Sequence, residues 1–424
     1  MWRIENPKNS GRRWMAVVTE PKVIDPTELS GSGQIPVERV ATPKTPEEVA
    51  KMVTEALQES KTLLPLGGGR DLFTARKTFD IGISLKKLTN GFRHTPEDLT
   101  AIVPAGMLFS EVQAKLREAN QWIPLDPTDE GNSTVGGIIS ANRSGPRRHW
   151  HGTARDWVIA TTVVNGTGKI VKAGANVVKN VSGYDLNKLY IGARGTLGIL
   201  LNMSFKLAPI PDKRVTFRAC FSTPEEALGM SKQINKAPVE VEALTVVKGR
   251  WAAAKAKHWW VLIELMGTEQ SVADQSTVLS SILEKSPANR WGKASEDDTQ
   301  FYWKTAQFGN DEAAPSSTEA AVSIPKSKVD KLVCNLAEEM PGCSLKILPA
   351  CGSVTLELDE SSDRKTFIDQ VSGLNGAVEI TGSNVSSAED RWPLTPPSLH
   401  LMKQLKKHLD PKGLFAPGTF VGGI

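Results

Sequence analysis

An α+β chain of two or three domains is expected here, on three observations. The 424 residues exceed what one hydrophobic core usually serves. From Val40 to Leu207 strands and helices follow each other in a β-α-β rhythm with mixed strands. After the proline-rich break Ala208-Pro209-Ile210-Pro211-Asp212-Lys213, a second alternation of helices and strands begins.

The elements are read in order. Residues 1–35 are rich in Pro, Gly, Ser and charge and form a lead-in. Thr45-Pro46-Glu47-Glu48 opens a helix: a hydroxyl cap, proline in the first turn, then acids at the positive end of the dipole. Val49, Met52, Val53, Ala56 and Leu57 supply its apolar stripe. Thr62–Leu66 is a short strand running straight into Gly67-Gly68-Gly69, and residues 80–85 and 99–104 are further strands. Phe109–Asn120 is an amphipathic helix. Residues 157–164, 170–173 and 197–205 are strands, with Asn165-Gly166 as a hairpin turn between the first two. Beyond residue 212, strands are expected at 241–247, 259–265 and 353–358, and helices at 225–235, 271–285, 326–338 and 363–371. Residues 286–320 are polar and read as a long loop, and Ser398–His408 is a last amphipathic helix.

Composition removes several classes. Lys plus Arg number 51 against 47 Asp plus Glu, so the net charge of +4 does not suggest a nucleic-acid surface. Cys220, Cys334, Cys343 and Cys351 are scattered without a C-x-x-C pair, which argues against a zinc ribbon or an iron–sulfur cluster within this chain. The N-terminus lacks a hydrophobic core of signal length, and no apolar run reaches the roughly 18 residues of a membrane span. A cytoplasmic protein is expected, with any docking at the inner membrane made through partners.

Four segments carry chemistry. In Pro65-Leu66-Gly67-Gly68-Gly69-Arg70-Asp71 a strand ends in three glycines, whose exposed amides can converge on a pyrophosphate. No Gly-Lys-Ser/Thr follows, and Leu72 stands where a Rossmann fingerprint has its third glycine. Taken alone, a plain strand-to-loop turn explains it as well. The second segment, Leu125–Arg148, reads as a small-residue turn at Ser133–Gly137, then Asn142 and a second turn at Ser144-Gly145-Pro146. So many small residues suit close approach of backbone to a ligand, although two touching elements would also use Gly136-Gly137. The third, Gly174–Leu201, has spaced glycines ending in Gly198-Ile199, and the fourth is Leu409-Asp410-Pro411 to Phe415-Ala416-Pro417-Gly418. His149-Trp150-His151 offers an H-x-H pair whose rings would share a face on a strand, but two histidines are too few for a metal site. Packing or exposure is the preferred reading, and no metal is expected.

Together and in this order, PLGGGRDL, LDPTDEGNSTVGGIISANRSGPRRHWHGTARD, VVKNVSGYDLNKLYIGARGTLGI and LDPKGLFAPG resemble the vanillyl-alcohol oxidase and p-cresol methylhydroxylase (PCMH) type of FAD-binding enzymes. Within that superfamily they are similar to the FAD-binding subunits of bacterial glycolate oxidase (glycolate dehydrogenase). The resemblance implies a two-subdomain FAD-binding fold at 36–211, an α/β cap domain at 212–375 and a return to the FAD domain at 376–424. It implies that Pro65 and Gly67–Asp71 wrap the pyrophosphate, and that Asp126, Pro127, Ser133, Thr134, Gly136 and Gly137 line the phosphate and ribose. Asn142, Ser144 and Gly145 would lie on the flavin side, and Gly198 and Ile199 would meet the adenine end. Lys179 matches the pattern without an assigned role. Arg70 and Asp71 stand where covalent members carry a histidine or cysteine, so noncovalent FAD is expected. Only His258 falls in the expected cap, which therefore lacks the metal motif of the D-lactate dehydrogenase-like branch.

The implied activity is oxidation of glycolate or a related 2-hydroxy acid to the 2-oxo acid. It needs a base and a cation for the carboxylate. No catalytic residue can be nominated; Arg250, Arg290 and Lys304 are unranked cations. That absence points to a partner flavoprotein that performs the oxidation and an iron–sulfur subunit that carries electrons onward. One rival is a self-sufficient dehydrogenase of another alcohol, lactone or sugar; the other is a scaffold subunit with weak or no FAD. Among the eleven tryptophans, those of the expected cap would serve a partner interface or, more simply, core packing.

Overall fold

The computed structural model describes residues 23–24, 37–69, 78–127, 131–176, 184–252, 258–309, 318–358, 364–382, 385 and 387–424. Arg70, Asp71, Lys179, Asn180, Ser182 and Gly183 lie outside them.

The chain opens with β1 (Val23–Ile24), β2 (Val37–Ala41), α1 (Pro46–Glu59), β3 (Leu63–Leu66) and β4 (Phe79–Ser84). These strands form one sheet in the order β1-β2-β4-β3, with β2, β4 and β3 parallel. α1 begins where a hydroxyl cap is available: Thr45 Oγ1 accepts from the Glu48 amide, and Val49, Met52, Val53 and Ala56 are buried.

A second layer follows: β5 (Arg93–Thr95), β6 (Thr100–Pro104), α2 (Phe109–Arg117), β7 (Gln121–Trp122), α3 (Val135–Ala141), α4 (Arg148–His151) and α5 (Ala154–Trp157). It continues with β8 (Val158–Val164), β9 (Ile170–Gly174), α6 (Asn187–Tyr190), β10 (Ile199–Lys206) and β11 (Ala208–Pro209). The order β5-β6-β10-β8-β9 is antiparallel throughout, and β7 pairs with β11. One core joins both layers, from Ala41 to Leu207, and Leu414 and Phe415 from the far end of the chain complete it.

The remaining elements are β12 (Lys213–Phe221), α7 (Pro224–Lys236), β13 (Val241–Lys248), β14 (Trp259–Gly267), α8 (Glu269–Glu284), β15 (Arg290–Lys293) and α9 (Glu296–Phe308). After them come β16 (Thr318–Ser323), α10 (Val329–Glu339), β17 (Leu345–Leu348), β18 (Ser353–Leu358), α11 (Arg364–Gly373), β19 (Ala377–Thr381), α12 (Ala388–Arg391) and α13 (Leu399–Leu409). The eight strands form one antiparallel sheet, β15-β12-β14-β13-β17-β18-β16-β19. Alternation sorts its faces. Val215, Phe217, Val261 and Ile263 pack with α7, α8 and α10 residues in a second core. Trp260, Leu262 and Val247 point the other way, into a smaller cluster with Trp303 and Ala306 of α9.

Three expectations need correction. The stretch read as a loop over 286–320 contains β15 and α9. Ser295 caps α9 by accepting from the Asp298 amide, three acids fill its first turn, and Trp303 and Ala306 bury its inner side. Ser133–Gly137, read as a turn, leads through the Thr134 cap into α3. The return to the first unit does not begin at 376, because Ala377–Thr381 pairs with β16 as an edge strand of the eight-stranded sheet.

Candidate FAD site

The parallel strand β3 delivers its glycines to the end of the sheet where α3 begins. A Cβ on Gly67 would lie 2.5 Å from Thr134 Oγ1, and one on Gly68 would lie 2.6 Å from the Asn132 carbonyl oxygen. Only glycine lets these two segments touch. Among the described residues, the amides of Gly67, Gly68 and Gly69 have no hydrogen-bond partner. The first amides of α3 are occupied instead: Val135 donates to the Met107 carbonyl, Gly136 to that of Ala105, and Gly137 to Thr134 Oγ1. Gly136 is buried against Ala105, whereas a Cβ on Gly137 would meet only Thr134 Oγ1, at 3.2 Å. The glycine loop thus presents amides, and beyond Thr134 Oγ1 nothing described stands within 4 Å of where a Gly137 Cβ would lie.

Other expected residues gather round this point. Asn142 ends α3 in the left-handed region (φ 51°), and its buried Oδ1 has no hydrogen-bond partner among the described residues. The loop at Gly192–Thr196 docks on α3: Gly192 donates to the Ile139 carbonyl, Arg194 to that of Ser140, and Gly195 abuts Pro65. Gly198 and Ile199 open β10 beside Val164. Ser133, Thr134 and Pro127 are buried, and Ser144 is half-buried. Asp126 has a different task. Its buried carboxylate accepts from the amides of Gly145 (2.8 Å) and Arg147 (2.9 Å), so it fastens the Ser144–Pro146 turn. Burial pushes its pKa up against those amides and the Arg147 charge.

The C-terminal motif closes the assembly. Leu63 donates to the Leu414 carbonyl and Ala416 to that of Leu63, so this segment lies alongside β3. Asp410, 2% exposed, accepts from the amides of Leu414 and Phe415 and from Lys406 Nζ.

Two ionic clusters lock the sheet of eight strands over this unit. In the first, Arg147 reaches Glu264 (3.0 Å) and Glu242 (3.8 Å), while Arg214 and His151 both bond Glu242. Trp122 lies against Arg147, Arg214 and the His151 ring. Burial alone would raise the Glu242 pKa, but bonds from His151 and Arg214 and the Arg147 field hold it down to about 2. Glu264 is pushed up by burial and by the neighbouring Glu242 charge. In the second cluster Glu379 of β19 accepts from Arg194 and Arg391, which both stack on Trp392. None of these acids stood out in the sequence, although a glutamate inside an apolar strand always requires a partner.

The inner face of the sheet also bears Lys346, half-buried and pushed down to about 8 by desolvation, with Glu319, Arg250, Asp126 and Arg143 in its electrostatic surroundings. Of the three cations expected from sequence, Arg250 is bound to Glu319 and Glu357, Lys304 is exposed, and Arg290 sits on the edge strand β15. His149 and His151 lie in the single turn α4, not on a strand. His151 serves the ionic lock, while the Nδ1 of His149 is buried without a partner and its pKa is pushed down to about 4 by burial and Lys326. Among the described residues no group of His, Cys, Asp and Glu could hold a metal ion, and no helix is long and apolar enough to cross a membrane.

A glycine cradle with unpaired amides at the end of a parallel sheet, closed by the C-terminal strap and roofed by a second sheet, defines a two-unit FAD-binding fold. Comparison with known proteins agrees. The family model for the FAD binding domain matches residues 37–174, and that for the C-terminal domain of FAD linked oxidases matches 391–420. The chain is 24% identical over 373 residues to glycolate oxidase subunit GlcE of Escherichia coli (strain K12), covering 88% of this chain and 96% of that protein. It is 24% identical over 418 residues to glycolate oxidase subunit GlcD of Bacillus subtilis (strain 168), covering 89% and 88%. It is 25% identical over 423 residues to the mitochondrial D-lactate dehydrogenase [cytochrome] of Arabidopsis thaliana, covering 90% and 73%. Among solved structures, alkyldihydroxyacetonephosphate synthase shares the fold with a TM-score of 0.67 at 15% identity, over 89% of this chain and 75% of that one. The chain thus carries an FAD binding domain and the C-terminal domain of FAD linked oxidases, consistent with the PCMH-type FAD-binding superfamily.

Proposed function

We propose that this chain is the second flavin subunit of a complex that oxidises a small 2-hydroxy acid, glycolate foremost, and that it holds FAD noncovalently. The glycine cradle carries the reading, and the near-full-length similarity to two glycolate oxidase subunits supports it. When bound, FAD supplies two-electron acceptor chemistry. In this reading the amides of Gly67–Gly69 hold the pyrophosphate, with Ser133, Thr134, Gly136 and Gly137 beside it. Asn142 would lie on the flavin side, and the backbone of Gly198 and Ile199 would meet the adenine end. Arg147, Arg214, Arg194, Arg391 and Arg250 are each bound to glutamates, so none of these five is left over for a substrate carboxylate beside the cradle. That favours a partner flavoprotein as the site of alcohol oxidation.

The test is a visible spectrum of the purified chain under anaerobic conditions. The flavin should stay oxidised with glycolate or D-lactate alone and bleach once the partner flavoprotein is added. Bleaching of the isolated chain would overturn the subunit assignment. One observation favours that second reading: Lys346, half-buried on the inner face, bonds only the Gln307 carbonyl and forms no ion pair among the described residues. If the isolated chain does oxidise the acid, Lys346→Met should abolish the bleaching while leaving flavin content unchanged. Acid denaturation should release all the yellow colour; flavin left on the polypeptide would contradict noncovalent attachment.

A further inference from the structure

On the inner face of the sheet a small pocket of about 110 Å³ opens between β12, β14, β15 and α9. Its lining includes Arg218, Arg290, Trp260, Tyr302, Phe301 and Leu262, and no lining residue is an acid. Arg218 and Arg290 both lie over the Trp260 ring, their guanidinium carbons 5.4 and 4.7 Å from its centroid. Arg218 also donates to the Tyr302 hydroxyl and lies over that ring. Among the described residues neither arginine forms an ion pair. Two like charges gathered on one indole repel, and among the described residues no acid pairs with either of them. A second observation is independent of charge. Trp260 is 5% exposed, and its buried indole N–H has no hydrogen-bond partner among the described residues. Such a donor is costly unless something accepts from it.

We propose that this pocket binds a small carboxylate. Its oxygens would accept from Arg218, Arg290 and the Trp260 N–H, and Leu262 with the aromatic rings would cover its short carbon chain. The volume admits roughly a few non-hydrogen atoms, so a two- to four-carbon acid fits and a nucleotide does not. The planar fork of a guanidinium matches a carboxylate better than a spherical anion. The site is distinct from the FAD cradle, whose residues all belong to the first unit and the C-terminal strap.

The test uses the flavin-loaded protein and calorimetric titration with acetate, with acetamide as the neutral isostere. Acetate should bind and acetamide should not. Arg218→Gln should weaken acetate binding by about tenfold or more, the scale of one charge-assisted hydrogen bond. Trp260→Phe, which keeps the ring and removes the donor, should weaken it severalfold. Flavin content and the response to glycolate are read in parallel, so failure of the pocket and failure of the proposed function are distinguishable. Equal binding of acetate and acetamide, no binding of either, or acetate affinity unchanged in both variants would overturn the proposal. If Arg218→Gln does not fold, Arg290→Gln on the exposed edge strand makes the same test.

Discussion

Gly137 separates steric contact with the cofactor from damage to the protein. A Cβ at position 137 would meet only Thr134 Oγ1, at 3.2 Å, whereas at Gly68 it would press on the Asn132 carbonyl oxygen at 2.6 Å. Gly137 also lies inside α3, where replacing glycine by alanine gains about 0.5–1 kcal/mol of helix propensity. Without FAD, Gly137→Ala should therefore melt at or slightly above the wild-type temperature, and Gly137→Val close to it. If residue 137 lines the cofactor, Val should weaken FAD at least ~100-fold, equivalent to about 2.7 kcal/mol of binding free energy. At a free FAD concentration of 100 times the wild-type Kd, ligand stabilisation of about 2.7 kcal/mol in the wild type would fall to about 0.4 kcal/mol in the variant. The assay pairs thermal melts with and without FAD with a titration of apoprotein followed by flavin fluorescence. A Gly137→Val protein that binds FAD as tightly as the wild type would refute the placement. A variant unstable before FAD is added would refute the claim that a Cβ there meets only Thr134 Oγ1.

The other predictions concern what holds the units together. Glu242→Gln removes the carboxylate shared by Arg147, Arg214 and His151 and should cost roughly 1.5–3 kcal/mol in chemical denaturation, since half-buried Arg214 loses its acid while Arg147 keeps Glu264. Asp410→Ala takes the counter-ion from Lys406, which keeps the Thr196 and Phe415 carbonyls, and leaves two backbone amides of the C-terminal strap unbonded; a comparable loss of stability is expected, together with weaker FAD retention. His149 titrates near 6.5 when unfolded and near 4 when folded, so its neutral form is favoured in the native state. Stability is intact above pH 6.5 and declines as pH falls from 6.5 to 4, by up to about 3 kcal/mol. His149→Phe should flatten that part of a denaturation-versus-pH curve, and an unchanged slope would show that His149 is not the group responsible.

Several parts of the fold were legible because a local cause sufficed. Thr45 with Pro46 marks the start of α1, Asn165-Gly166 turns β8 into β9, and three glycines after an apolar strand mark the cradle. Where long-range partners decide, the signal faded. α3 is only seven residues long and carries two glycines, so its propensity is poor; bonds to the Ala105 and Met107 carbonyls and packing of Ile138 and Ile139 sustain it. α9 looked like a loop because its exposed faces are polar and its apolar residues are few. The ionic locks were hidden for another reason. Glu264 meets Arg147, 117 residues earlier, and Arg194 meets Glu379, 185 residues later. What the sequence does display is the anomaly itself: Glu242 and Glu264 interrupt strands whose other residues are almost all buried and apolar. Asp126 shows the reverse limit. Its place in a ligand-like motif suggested a cofactor contact, while its carboxylate is committed to the chain's own amides.

The most direct measurement is the visible absorption spectrum of the purified chain, with its flavin content after reconstitution with FAD. The account predicts an oxidised flavin spectrum at about one FAD per chain, lost in Gly137→Val while the protein remains folded. A folded, colourless chain that takes up no added FAD would contradict it.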